Sequence, residues 1–192
     1  MFGAGVGMTN FEFALSLFGL VFGLSIVEVM AGFARVLRAR PKVRLGWSTP
    51  LLGILLIIDL VTFWANAWEL RQVIPPSFWT LLAGTAIAAI YYLSAAVLFP
   101  HDLDQWSDLD AYFVRHKAQV ILGIIAANLL FGTCSGLLLG SFPPVGVLVK
   151  NLVFTALSVG VIFARRRWLE TALLLTLLVC YAVSRISAAP AG

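Results

Sequence analysis

The sequence predicts an all-α polytopic transmembrane helical bundle of six spans, a single domain over residues 1–192, and three observations carry that reading. First, the chain is 61% hydrophobic and only 11% charged, with a mean hydropathy of +0.98. A soluble domain carries about a quarter charged residues, and water could not cover this much apolar surface, whereas lipid tails can. Second, the apolar residues fall into six runs of the roughly 20 residues that cross a bilayer as helix. Third, prolines and basic residues gather between those runs. A β-barrel strand would alternate over about ten residues; these runs are continuous, so helices are expected.

The expected spans are Phe13–Phe33, Ser48–Trp68, Phe78–Phe99, Ala118–Leu139, Val145–Ala164 and Trp168–Ile186. The first is too long for a signal-peptide core and lacks a basic leader and cleavage site, so it is expected to be retained. Met8 is an alternative start to Met1, because the glycine-rich stretch before it looks dispensable. Pro41, Pro75-Pro76, Pro100 and Pro143-Pro144 sit where the chain must turn. Trp47, Trp68, Trp79, Trp106 and Trp168 lie near span ends, as interfacial aromatics do. Residues His101–Lys117 form the longest and least apolar connection. Trp106, Leu109, Tyr112 and Phe113 recur there at helical spacing among Asp102, Asp104, Asp108 and Asp110, which predicts a short interfacial amphipathic helix running into span four. Its carboxylates are placed to meet the basic ends of the first and fifth connections.

Orientation follows from charge. Arg35, Arg38, Arg40, Lys42 and Arg44 lie at the first connection, Arg115 and Lys117 at the third, and Arg165, Arg166 and Arg167 at the fifth. These are ten of the 13 basic residues, and alternate connections share one side. The positive-inside rule therefore puts that side in the cytoplasm and both termini outside. The same distribution argues against nucleic acid as a partner of this chain of net charge +4, since the cations mark topology rather than a reading face.

Charges within a bilayer cost about 2.5–3.5 kcal/mol each on insertion scales, so each needs a reason. Asp59 lies about 18 Å of helix from both Trp47 and Arg71, near the midplane. Thr62, Asn66 and Glu69 follow it at steps of three, four and three, forming one polar stripe toward the outer surface. Asn128 and Thr155 share roughly the depth of Asp59, and Ser25, Glu28, Gly32 and Arg35 make a second stripe on span one. One reading is an ion or proton path through Asp59, Thr62, Asn66, Glu69, Asn128 and Glu28. The blander one is that Asp59 and Asn128 hydrogen-bond across helices and hold the bundle together, while Arg35 or Arg38 neutralises Glu28 by snorkelling. Thr176, Cys180 and Ser184 read as a packing face. Gly19-Leu-Val-Phe-Gly23 and Gly132-Thr-Cys-Ser-Gly136, extended to Gly140, are small-residue patterns that let helices approach, within one subunit or between two.

No catalytic motif is present: no GxSxG, P-loop or HExxH. Cys134 and Cys180 lie in apolar runs without metal-type spacing. His101, Asp102, Asp104 and His116 match no standard metal loop, so no metal is expected, and the sequence names no cofactor. Three functional classes stay open: an ion- or proton-conducting channel or transporter, a non-catalytic subunit or scaffold of a larger membrane complex, and a lipid-acting enzyme built around His101 and His116. The expected associates are the bilayer and either a second copy or a membrane-protein partner.

Gly32-Phe-Ala-Arg35-Val-Leu-Arg38 closing the first helix, Phe63-Trp64 and Trp68 in the second, Leu98-Phe99-Pro100, and Asp110-Ala-Tyr112-Phe113-Val-Arg115 after an acidic loop together resemble a family of small six-helix bacterial inner-membrane proteins with no assigned activity. That resemblance covers roughly the first 120 residues. It implies the topology and a bacterial inner membrane, and nothing about chemistry.

Overall fold

The computed structural model describes residues 10–39, 46–75, 77–102, 106, 108–141 and 143–186. Six helices follow one another: α1 (Asn10–Ala39), α2 (Ser48–Glu69), α3 (Phe78–Leu98), α4 (Leu109–Leu139), α5 (Val145–Phe163) and α6 (Arg167–Ile186). Each contains a stretch long and apolar enough to cross a membrane, so the chain is a multi-pass helical bundle.

The helix ends follow local chemistry. Pro50 falls in the first turn of α2, where the missing N–H costs nothing. Ser77 caps α3 by accepting the Thr80 N–H at 3.2 Å, and α3 stops just before Pro100. Asp108 caps α4 by accepting the Asp110 N–H at 2.9 Å. At its far end α4 is closed by Gly140 with φ +60°, a left-handed conformation that costs glycine no Cβ clash. The amphipathic segment expected before span four is the start of α4 itself. Its helix begins at Leu109, not at His101, and continues without a break as one element of 31 residues.

Helix α2 is central: it packs on α1, α3, α4 and α6. Its most extensive contact is with α6, α3 packs closely on both α1 and α4, and among the described residues α5 touches only α4 and α6. The buried core accordingly runs through Val29, Leu52, Leu56, Tyr91, Ile124 and Leu177. The connections α1–α2, α3–α4 and α5–α6 share one end of the bundle, here called the basic end. The α2–α3 and α4–α5 connections share the other, the far end.

Close approach is achieved at one glycine of the expected motifs, Gly19, where a Cβ would lie 3.1 Å from the Trp64 ring, and more tightly at glycines outside them. A Cβ on Gly32 would lie 2.1 Å from Cδ2 of Phe99, a ring that is itself buried. By contrast, a Cβ on Gly23 or Gly132 meets nothing within 4 Å. Gly32→Ala is therefore expected to destabilise the bundle by about 1–3 kcal/mol through overpacking, while Gly23→Ala is tolerated. Unfolding in detergent checks this, and equal melting temperatures for the two variants would rule out tight α1–α3 packing at Gly32.

Helix α6 corrects a second expectation. Thr176 and Cys180 are exposed, and the inward stripe is Glu170, Leu174, Leu177 and Tyr181, at steps of four, three and four. A polar anchor thus stands at each end of the only face that α6 buries.

Candidate functional site

Two buried polar clusters hold the bundle, one at mid-depth and one at the basic end. The first is built on Asp59, which is 1% exposed on the inward face of α2. The Tyr91 hydroxyl of α3 donates to its Oδ2 at 2.7 Å. The Asn128 amide of α4 donates to the same carboxylate, with Nδ2 at 3.0 Å from Oδ2 and 3.2 Å from Oδ1. The Tyr181 hydroxyl of α6 donates to Oδ1. Four helices thus meet at one carboxylate.

Asn128 is fixed from behind, because Nδ2 also reaches the Ile124 carbonyl at 3.0 Å one turn earlier. Its second amide hydrogen is thereby used, and the first is aimed at Asp59. No lysine, arginine or histidine pairs with Asp59 among the described residues, and Lys150 is exposed on α5. The carboxylate is therefore held by neutral donors. Such an arrangement suits a proton better than a metal cation, since the phenols and the amide present hydrogens to the site instead of lone pairs.

An apolar cavity of about 300 Å³ lies between α1, α2, α3 and α4 in the far half of the bundle. Ile74, Pro75 and Trp79 lie toward the far end, and Phe22, Phe63 and Phe131 toward its base. Those three rings interlock, with Phe22–Phe63 centroids 4.8 Å apart and Phe63–Phe131 centroids 4.6 Å apart. Phe22 and Phe63 also lie 5.7 and 5.8 Å from the Tyr91 ring. One layer of aromatic rings therefore separates the cavity from the Asp59 cluster.

The other residues of the expected path take different places. Thr62 and Asn66 are half-buried further along α2, and Glu69 is exposed at its end. Glu28 is on α1 in a separate pair, with Arg35 Nη2 at 3.1 Å from its Oε1. Asn128 alone of the expected partners joins Asp59. Tyr91 and Tyr181 escaped the sequence reading because a tyrosine in an apolar run looks like packing. A tyrosine hydroxyl well inside a span nevertheless needs a partner, and that requirement was the available signal.

The second cluster was not anticipated. Lys117, read as a connection residue, is 5% exposed, and Glu170 is 2% exposed. Their side chains form an ion pair, and Lys117 Nζ also donates to the Ala164 carbonyl at 2.6 Å. Ala164 is the C-cap of α5 and Glu170 lies in the first turn of α6. One ammonium thus satisfies an orphan carbonyl at a helix end and a carboxylate at the next helix start, both favourable to the helix dipoles. It clamps the α5–α6 corner onto α4. Nearby, Arg167 meets Asp110 at 2.6 Å and Asp108 at 3.5 Å, so these loop carboxylates do face the fifth connection.

The two histidines do not converge. His101 is exposed, whereas His116 stacks on Tyr112 with ring centroids 4.0 Å apart. No trio of His, Cys, Asp or Glu gathers as a metal site among the described residues; Asp104 lies outside them. Comparison with protein-family models, curated proteins and solved structures returned no match.

Proposed function

We propose that the protein is a proton-linked membrane transporter in which Asp59 carries the proton. The observation that supports this reading is a mid-depth carboxylate, sealed from solvent, on which side chains from α3, α4 and α6 converge. Intramembrane ionisable groups of this kind are by default functional candidates. An occluded site favours a carrier over an open ion channel, because apolar rings cap it and a change of helix packing is needed to admit a proton. The apolar cavity one ring layer away gives room for an apolar or amphipathic substrate. The distribution of arginines supports a cytoplasmic basic end with both termini outside, and the family resemblance implies a bacterial inner membrane.

Proton flux into proteoliposomes, followed with an internal pH dye, tests the reading. Asp59→Asn is expected to lower the rate by at least about tenfold, in line with removal of a required proton carrier. Wild-type flux in that variant removes Asp59 from the mechanism.

A second reading, as a subunit of a larger assembly or a homo-oligomer, rests on a different observation. From Val145 to Val153 every residue of α5 is exposed, Lys150 and Asn151 included, and Gly132 of α4 meets no neighbour. Recovery from native membranes with a stoichiometric partner would favour it, and a monomer at all detergent concentrations would count against it.

A further inference from the structure

We infer that the cavity in the far half of the bundle binds a neutral aromatic molecule of two fused rings, and that this is the substrate class moved with the proton. The binding stands on the cavity alone, while its coupling to proton movement rests on the proposed role of Asp59.

The lining sets the chemical class. No charged side chain is among the lining residues, and the three hydroxyls there are bonded within the protein. Ser77 and Thr80 share a hydrogen bond at 2.9 Å, Ser77 also accepts the Thr80 N–H, and Ser135 donates to the Phe131 carbonyl at 2.8 Å. An ion would shed its hydration with no counter-charge to replace it. A strongly hydrogen-bonding molecule would have to break those bonds to be paired.

Rings are the counterpart. Phe18, Phe22, Phe63, Trp79 and Phe131 all border the space, and an aromatic ligand gains edge-to-face and offset contacts with such rings beyond simple burial. A flexible acyl chain would lose the freedom of its many torsions here, a cost that a rigid ring system does not carry. Volume sets the size. The cavity holds about 300 Å³, whereas an apolar cavity of roughly 150 Å³ stays dry and takes up benzene.

Position ties the site to the carboxylate. Toward the far end, Phe63 lies one turn beyond Asp59 on α2, Phe131 one turn beyond Asn128 on α4, and Ile87 one turn beyond Tyr91 on α3. All three line the cavity. Phe22 and Phe63 border the cavity on one side and lie 5.7 and 5.8 Å from the Tyr91 ring on the other. Tyr181, the remaining donor to Asp59, comes from α6, which adds nothing to the lining. A ligand on this floor therefore bears on three of the four helices that meet at Asp59, and its binding energy acts between those three and the fourth. Such differential contact is what coupling requires.

The full chain in a neutral detergent is incubated with tritiated naphthalene, and bound label is read by scintillation proximity. Saturable binding of one equivalent per chain is expected, competed by unlabelled naphthalene. Naphthalene-2-sulfonate has the same rings and a charge, and should compete about 100-fold more weakly, from the usual cost of a charge at membrane depth. Dodecane should also compete more weakly. Ala67→Phe and Ala83→Leu, which fill the cavity from α2 and α3, should each weaken binding at least about tenfold. Leu152→Phe, on the exposed part of α5, should leave it unchanged. Equal competition by the sulfonate or by dodecane would overturn the ligand class, and unchanged binding in both filled variants would overturn the site. Proton flux into proteoliposomes is followed in parallel, with and without naphthalene. Saturable binding that leaves the flux unchanged would keep the site and overturn its coupling to Asp59. Asp59-dependent flux without saturable binding would overturn the site and spare the proton reading.

Discussion

Lys117→Met and Glu170→Leu, made singly, are each expected to destabilise the bundle by about 3–5 kcal/mol, because each strands a buried charge. Lys117 and Glu170 are 5% and 2% exposed, so the survivor of either change has little access to water. The double variant is expected to recover most of that loss. Two apolar side chains of similar volume fill the same space without desolvating an ion, which is often neutral or better. A residual cost of about 1–3 kcal/mol should remain, since the Ala164 carbonyl loses the ammonium that now reaches it at 2.6 Å. Reversible unfolding in mixed micelles gives all four corners of the cycle. A coupling energy near zero would mean that water screens the pair and that the clamp on the α5–α6 corner is not made by it.

The spans were legible in the sequence because bilayer thickness sets their length and proline and charge punctuate their ends. The observed helices match the expected spans closely, except that α1 and α4 run longer. Depth was legible too. Asp59 and Asn128, placed at a common depth by counting residues, are hydrogen-bonded. The faces were harder to read. Lys117 lies on the stripe Phe113, Lys117, Val120 and Ile124, at steps of four, three and four, all of them buried. That spacing already put the lysine inward, but its position near a span end made it read as a topology charge. The same ambiguity hid Glu170, one turn into α6.

Small residues misled in the other direction. The Gly132–Gly140 series has the spacing of a packing motif, yet a Cβ at Gly132 would meet nothing within 4 Å. Gly32 and Gly84 fall in neither glycine motif, yet each takes an aromatic ring, Phe99 and Phe18, against its backbone. A small residue permits close approach; whether a neighbour uses it depends on the bulky side chain opposite, which spacing along one helix does not encode.

For Asp59 the largest separation is expected between stability and flux. Asp59→Leu leaves the Tyr91 and Tyr181 hydroxyls and the Asn128 amide without their acceptor, each worth about 1–3 kcal/mol when buried and unpaired. That variant should lose at least about 3 kcal/mol and serve only as a folding control. Asp59→Asn keeps one oxygen, for one tyrosine and the Asn128 amide, but turns an NH2 group toward the other tyrosine hydroxyl, which donates to the oxygen that is lost. It should cost about 1–3 kcal/mol and remain folded. The exchange Asp59→Asn/Asn128→Asp pairs an amide with a carboxylate again, so its unfolding temperature should return close to wild type. If the cluster were only a cross-brace between four helices, flux would return with stability, because a brace needs a satisfied donor–acceptor set and no particular owner of the negative group. If α2 must present the carboxylate for the proton to be taken up and released, flux stays low in a protein that is stable again. The second outcome is expected, and flux that tracks stability across all these variants would reduce Asp59 to the brace.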